Sequence, residues 1–199
     1  MKKLFTLFSA LMLAFSVQAT SFEEGKYYNV LNVDKSTTPK VTEFFSFYCP
    51  HCYKFEAVIK SLTPALPKNV KFEKVHVAFM GNSMAVPMAK SYATMVALGV
   101  EDTMVPAMFK QIHELGQRPK DEAELRQIFI DNGVDAKKYD ATYNNFVVNS
   151  MQRNFDKQFE ASTLTGVPGV LVNNKYIVKP DAIRSYDEYN QLVNYLLTL

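Results

Sequence analysis

Cys49 and Cys52 are the only cysteines of the 199-residue chain, and Pro50 and His51 separate them. Two thiols at this spacing can form a disulfide and give it up again, which is the chemistry of thiol–disulfide exchange. A disulfide across so small a loop constrains the unfolded chain by only about 2 kcal/mol. Because that gain in stability is small, we interpret the two cysteines as a reactive pair.

Other uses of the pair are disfavoured by the rest of the sequence. A zinc site needs two further ligands, and only His51, His76 and His113 would remain to supply them. Haem attachment would need a histidine where Tyr53 stands, so it is excluded. A zinc site and a purely structural disulfide stay as minor alternatives. We predict no metal site and interpret His76 and His113 as ordinary strand and helix residues.

The elements around the pair explain how it could be made reactive. Residues 41–48 are β-branched and aromatic, which predicts a buried strand that ends where the motif begins. Pro50 suits the first turn of a helix, and Pro64 and Pro67 interrupt that helix. Cys49 would then lie just before the helix, where unpaired N–H groups and the helix dipole stabilise a thiolate.

This placement predicts different roles for the residues of the motif. We expect Cys49 to be the exposed sulfur that attacks or is attacked, and Cys52 to resolve the mixed disulfide. His51 could add a hydrogen-bond donor or a positive charge near the sulfur. A stabilised thiolate favours the reduced protein and makes its disulfide a stronger oxidant, so the sequence favours disulfide donation.

The chain after the motif predicts one α/β unit and then a helical block. Residues 70–79 alternate apolar and polar side chains, which predicts a second strand and a parallel β-α-β unit. Residues 84–163 have helical spacing throughout, with a capping signature at Asp121. The aromatic stripe from Tyr139 to Phe159 predicts one long or kinked amphipathic helix, whose apolar side we interpret as core.

The C-terminal part returns to strands. Residues 170–172 and 176–178 predict a hairpin whose tight turn contains Asn173 and Asn174, because asparagine tolerates a positive φ. A last helix follows from about Ser185, with Tyr186 on its apolar side.

We therefore expect a single α/β domain that is split by an all-helical insertion. Residues 20–82 and 164–199 would form the α/β domain, and residues 83–163 would form the insertion.

The N-terminus has the pattern of a signal peptide. Lys2 and Lys3 precede an apolar run over residues 4–17, and Ala19 ends a stretch suited to cleavage. We predict that residues 1–19 are removed on export. A membrane anchor is disfavoured because the run is shorter than the roughly 20 residues that span a bilayer.

The two N-terminal lysines carry the equivalent of the whole formal net charge of +2. The mature chain is therefore neutral, with acidic and basic residues interspersed. Phosphate-directed binding needs a clustered basic surface. We accordingly predict that the protein does not bind nucleic acid.

Two further places could contribute to the site. Residues 166–169 read GVPG just before the hairpin, so Val167–Pro168 is a candidate for a cis peptide bond, with a trans turn as the alternative. Opposite the motif, Pro168 would keep metal away from the sulfurs, and the Val167 backbone could pair with an extended substrate.

Glu43 lies in an apolar strand and could pair with Lys74, accept a proton from Cys52 and tune the redox equilibrium. Alternatively, both charges reach solvent at strand ends.

Longer motifs carry a resemblance to a known family. Residues 43–53 read EFFSFYCPHCY, residues 74–81 read KVHVAFMG, and GVPG precedes the short hairpin. Over essentially the whole mature chain, the sequence resembles the DsbA family of bacterial periplasmic oxidases, which have a thioredoxin fold. Gly169 and Asn174 differ from relatives with alanine and glycine there.

The resemblance implies roles for individual residues. Cys49 would be the nucleophile, Cys52 the buried resolving thiol, His51 a thiolate stabiliser and Pro168 a cis-proline. Glu43 and Lys74 match the family's buried acid and its lysine. A hydrophobic peptide groove would draw on Val167, Met80 and Gly81, together with the loop at Pro180.

The implied activity is donation of the disulfide to newly exported proteins in the periplasm of a Gram-negative bacterium. A quinone-linked membrane oxidase of the DsbB type would reoxidise the protein, which would act as a monomer without a bound cofactor. A reductase or isomerase on the same fold, or a peptide-binding chaperone that merely retains the cysteines, is the alternative.

Overall fold

The computed structural model describes residues 22–199. The predicted signal peptide lies outside the described residues. The strands are β1 Tyr28–Val30, β2 Lys40–Phe45, β3 Lys71–His76, β4 Gly169–Val172 and β5 Tyr176–Val178. The helices are α1 Pro50–Ala65, α2 Ala85–Leu98, α3 Glu101–His113, α4 Glu122–Asp131, α5 Ala136–Tyr143, α6 Phe146–Ala161 and α7 Tyr186–Thr198. Over the described range, none of these helices has the length and apolar character needed to cross a membrane.

The strands form one mixed sheet in the order β1-β5-β4-β2-β3. β2 and β3 are parallel and α1 connects them, so the predicted β-α-β unit is confirmed. β4 pairs antiparallel with β2 on its other side. β2 therefore lies inside the sheet, which explains its nearly continuous run of buried residues.

Two apolar clusters cover the sheet. Leu62 of α1 and Leu192 of α7 belong to one cluster, together with Val172 of the sheet. Phe109 of α3 belongs to the other, together with Phe44 of β2 and side chains from the rest of the helical block. The helices α2 to α6 follow β3 and precede β4 in the sequence. Their apolar side chains thus contribute to the second cluster.

The aromatic stripe from residue 139 onward forms two separate helices, α5 and α6, so the prediction of one long or kinked helix is wrong. The break falls at Asn144 and Asn145. The side chain of Asn145 accepts a hydrogen bond from the N–H of Val148 at 2.8 Å, and its backbone is extended. Asparagine at this position caps a new helix and satisfies one of its free N–H groups. The cap predicted at Asp121 is confirmed by its bond from the N–H of Glu124.

The predicted hairpin is confirmed with its turn. Asn173 and Asn174 have φ values of 53° and 58°, and the N–H of Lys175 donates to the carbonyl of Val172 at 3.0 Å. Two successive positive φ values define the primed turn that matches the twist of the strands.

Two other features differ from the sequence prediction. β1 was not predicted, because three residues are too few to show an alternating pattern; it pairs antiparallel with β5 at the edge of the sheet. Tyr186 is 52% exposed, although it was predicted on the apolar side of the last helix. It occupies the first position of α7, and the buried stripe begins at Tyr189.

The cap at Asn145 provides a test of why α5 and α6 are separate. Replacing Asn145 with Ala removes the acceptor for the Val148 N–H, and we expect the free energy of unfolding to fall by about 1 kcal/mol. Urea denaturation followed by circular dichroism measures this change. Asn149→Ala, one turn inside α6, is the matched control and should cost clearly less; equal losses would mean that the cap does not stabilise the break.

Candidate active site

A tight turn carries the chain from the end of β2 to the motif. The N–H of Cys49 donates to the carbonyl of Ser46 at 3.1 Å, and the N–H of Tyr48 donates to the Ser46 hydroxyl at 3.2 Å. The strand therefore ends at Phe45, three residues earlier than the sequence predicted. The turn delivers Cys49 directly to the N-terminus of α1.

Cys49 is the N-cap residue of α1. Its sulfur accepts the N–H of Cys52 at 3.1 Å, and Pro50 occupies the first helical position, where no N–H is needed. The first turn of α1 contains no acidic side chain that would compete for its free N–H groups. A negative charge on this sulfur would thus be stabilised by backbone donors and by the helix dipole. Both cysteines are free thiols, so the structure represents the dithiol form.

Cys49 is less accessible than predicted. The residue is only 3% exposed, and the expectation of an exposed sulfur is wrong for this form of the protein. The Cys49 thiol donates to the carbonyl of Val167 at 3.5 Å, so the segment before β4 covers it. Any group that approaches the Cys49 sulfur from this side must displace this contact.

Pro168 lies in that covering segment. The Val167–Pro168 peptide bond is cis, the isomer for which the sequence made it a candidate. The contact between Val167 and Cys49 places the segment against the motif, although the two are more than 100 residues apart in the chain.

Cys52 is buried even more completely than Cys49. It is fully buried, and burial raises the pKa of its thiol far above the ordinary value, with further contributions from the hydrogen bond to Cys49 and the charge of Glu43. In the dithiol form, Cys52 therefore stays protonated at neutral pH. The two sulfurs are chemically unequal, as the sequence indicated.

Glu56 of α1 forms a charged cluster with Lys74 and the buried Glu43, which we call the buried charged cluster although Glu56 is partly exposed. The ammonium nitrogen of Lys74 lies 2.8 Å from Oε2 of Glu43 and also hydrogen-bonds to Glu56. Glu43 is 0% exposed, so the alternative in which both strand charges reach solvent is wrong. Sequence reasoning missed Glu56, which only the packing of α1 brings to the lysine.

One carboxyl group of this cluster titrates near neutral pH. Burial raises the pKa of Glu43 to about 7, although the nearby Lys74 opposes the shift. Burial alone would lower the pKa of Lys74, but the carboxylates of Glu43 and Glu56 raise it above its ordinary value. Glu43 can therefore gain or lose a proton close to neutral pH, while Lys74 stays charged.

Two histidines bind the backbone just before the motif. His76 of β3 accepts the N–H of Phe47 at 3.0 Å, and His113 at the end of α3 contacts the carbonyl of the same residue at 2.8 Å. The sequence analysis interpreted both as ordinary residues. No spacing in the sequence connects them with residue 47, because the contacts arise from three different elements.

The remaining predicted site residues are His51, Met80 and Gly81. His51 is exposed, and within residues 22–199 no hydrogen bond joins its ring to Cys49. Gly81 has a φ of 106°, and a Cβ there would come within 2.4 Å of the Tyr48 ring. Met80 packs against the larger apolar cluster.

An apolar groove of about 320 Å³ begins at the cis-proline segment. Pro168 and Pro180 line it, together with Phe55 and Val58 of α1, and Arg184 is the charged residue of its lining. Pro180, from the loop predicted to contribute to a peptide groove, is among the lining residues, and its role in substrate binding stays a prediction. Met80 and Gly81 do not line this groove, and their role in substrate binding stays a prediction.

Comparison with protein-family models matches residues 40–192 to the DSBA-like thioredoxin domain. The chain belongs to the DsbA family. The match includes the motif, the buried charged cluster, the helical block and the cis-proline segment.

Named relatives cover the DsbA-family chain almost completely. The thiol:disulfide interchange protein DsbA of Dickeya dadantii is 39% identical over 100% of this chain and 99% of its own length. The Escherichia coli protein of the same name is 36% identical, with 98% of both chains covered. The structure of Proteus mirabilis DsbA, a cysteine-to-serine variant with a non-covalently bound peptide PWATCDS, has a TM-score of 0.85 at 36% identity; it covers 90% of this chain and 100% of that one.

These relatives confirm two predictions. The fold is a thioredoxin fold with an inserted helical subdomain. The DsbA-family chain is a thiol–disulfide oxidoreductase.

Glu43 gives this DsbA-family protein a distinctive dependence of stability on pH. Its pKa is raised by folding from 4.5 to about 7, so the folded state binds the proton more tightly. The stability that protonated Glu43 provides is complete below pH 4.5 and is lost as pH rises through 7. We expect Glu43→Gln and the unmodified protein to have equal free energies of unfolding at pH 4.5. At pH 8 the variant should be more stable by on the order of 1–3 kcal/mol.

Denaturation at several pH values measures the free energy of unfolding of each variant. A substitution at Glu73 is the matched control. Burial alone would raise the pKa of Glu73, but bonds from Lys71 and Lys40 lower it. Glu73→Gln should therefore lose stability at neutral pH, and the loss should shrink as pH falls below about 4. A Glu43→Gln advantage that does not change with pH would contradict the raised pKa.

Proposed function

We propose that this protein donates its Cys49–Cys52 disulfide to newly exported proteins through a mixed-disulfide intermediate. The observation that carries the proposal is that Cys49 caps α1 with its sulfur while Cys52 is held as a buried thiol. The sulfur that best carries a negative charge is the better leaving group. Substrates with paired cysteines are the expected reductants.

The reaction begins with the oxidised protein. A substrate thiolate attacks Cys49, which forms an intermolecular disulfide and breaks the Cys49–Cys52 bond. Cys52 leaves with the electron pair and takes up a proton, for which protonated Glu43 is the proposed source. The second thiolate of the substrate then attacks the substrate sulfur that is bonded to Cys49. The substrate disulfide forms, the mixed disulfide breaks and Cys49 leaves as a thiolate. The substrate thereby loses two electrons, and the protein gains them.

The other site residues have supporting roles in this proposal. Val167, whose carbonyl already contacts the Cys49 thiol, would pair with the backbone of an extended substrate. Pro168 would exclude metal ions from the sulfurs, and His51 would stabilise the thiolate. Met80 and Gly81 would extend the substrate surface beyond Tyr48.

The cellular setting is part of the proposal. The sequence pattern of residues 1–19 supports export, and family membership supports the periplasm of a Gram-negative bacterium. A DsbB-type membrane oxidase that passes electrons to quinone would restore the disulfide. The protein would act as a monomer and would need no bound cofactor.

Equilibration with mixtures of reduced and oxidised glutathione tests the direction of the reaction. We expect the pair to stay reduced until the mixture is strongly oxidising, because stabilisation of the Cys49 thiolate favours the dithiol. Alkylation and mass measurement count the free thiols. Oxidation already in reducing mixtures would mean that the protein is a reductase.

Trapping with single-cysteine variants tests the intermediate. Cys52→Ser should accumulate a mixed disulfide with an activated cysteine-containing peptide, because the resolving sulfur is absent. Cys49→Ser should form at least about tenfold less adduct, since burial keeps Cys52 protonated. If Cys49→Ser retains full activity in folding assays, the protein acts as a chaperone and the proposal fails.

The groove provides a separate test of substrate binding. Val58→Lys places a charge in the apolar lining, and we expect the rate of peptide oxidation to fall by about tenfold. The glutathione equilibrium should change less than twofold. Val86→Lys, at an exposed apolar position on α2, is the control and should leave both quantities unchanged; an equal effect of both variants would argue against the groove.

A further inference from the structure

The segment that joins β2 to the motif is buried, so its backbone polar groups need partners within the protein. The carbonyl of Ser46 accepts the N–H of Cys49, and the Ser46 hydroxyl accepts the N–H of Tyr48. The N–H and carbonyl of Phe47 have no such local partner. Among residues 22–199, their hydrogen-bond partners are the two histidines.

The two hydrogen bonds require specific proton positions. Because the Phe47 N–H donates, Nε2 of His76 must be unprotonated, and burial lowers the pKa of His76 to about 3. Because the Phe47 carbonyl can only accept, Nε2 of His113 must carry a proton. The Nε2–H of His113 is present in the neutral tautomer that this bond selects and also in the cation.

His113 makes a second contact on the far side of the motif. Its ring stacks on Tyr53, with the centroids 5.2 Å apart and the planes 5° apart. The Tyr53 hydroxyl in turn donates to Glu114 at 2.6 Å. One side chain from the helical insertion therefore contacts the residue two positions before Cys49 and the residue directly after Cys52.

We infer that His113 is a positioning residue, which holds both flanks of the Cys49–Cys52 segment from the helical insertion. The inference rests on the proposed reactive roles of the two cysteines. The bond to Phe47 fixes the turn that aims the Cys49 sulfur at the N–H of Cys52, and the stack fixes the first turn of α1. This geometry matters most when Cys49 is a thiolate, because the disulfide itself restrains the oxidised form.

Redox equilibrium separates positioning from simple structural support. A contact that stabilises both redox forms equally changes the unfolding of both but cancels from their equilibrium. A contact that supports the thiolate geometry stabilises the reduced form more. Its removal must then shift the glutathione equilibrium toward the disulfide.

His113→Phe keeps an aromatic ring for the stack but cannot donate to Phe47, whereas His113→Gln keeps an N–H donor. In glutathione mixtures we expect His113→Phe to favour the disulfide by about threefold to tenfold over the unmodified protein, which corresponds to the loss of one hydrogen bond. His113→Gln keeps the donor and loses only the stack, so its shift should be clearly smaller than that of His113→Phe. Lys110→Ala, on the exposed side of α3, is the matched control and should not change the equilibrium.

The outcomes are distinct. An unchanged equilibrium in His113→Phe, with equal loss of stability in both redox forms, would overturn the inference, as would a shift in His113→Gln as large as that in His113→Phe. If His113→Phe does not fold, His113→Asn, whose amide is too short to reach the carbonyl, takes its place with the same expectation. Failure of the unmodified protein to act as an oxidant in the same mixtures would instead overturn the proposed function.

Discussion

The sulfur of Cys49 takes the place that a serine or aspartate oxygen usually has at the start of a helix, and the rest of the site is built around this cap. The turn after β2 brings the sulfur there, and Pro50 removes the N–H that would have no use. The same helix carries Cys52 one turn away into a dry interior above Glu43. A single helix terminus therefore places one sulfur at the cap and the other in the interior, one turn away.

The sequence was sufficient where a local pattern carries the physics. The β-α-β unit follows from apolar strands around a proline-started helix, and the hairpin turn follows from Asn173 and Asn174, which tolerate the backbone that a primed turn requires. The Glu43–Lys74 pair was also predictable. An acid in an apolar strand needs a partner, and the neighbouring parallel strand offers one in register.

Contacts between distant elements could not be predicted in the same way. Glu56 reaches Lys74 only because α1 packs at one particular rotation over the sheet, and the bonds of His76 and His113 to Phe47 depend on three elements meeting. The burial of Cys49 likewise comes from a segment more than 100 residues later. Such contacts are properties of tertiary packing, which amino-acid spacing along one element does not encode.

The order of strands in the sheet has a consequence for biogenesis. β4, which lies between β2 and β5, follows the whole helical block in the chain, and Val167 lies two residues before it. A polypeptide that emerges from its N-terminus therefore has its cysteines long before it has the segment that covers them. During synthesis the motif is present without the segment that covers it, and the complete site forms only when residues near the C-terminus have been made. Pairings between such distant segments are also the slow ones in folding, which prolongs that interval.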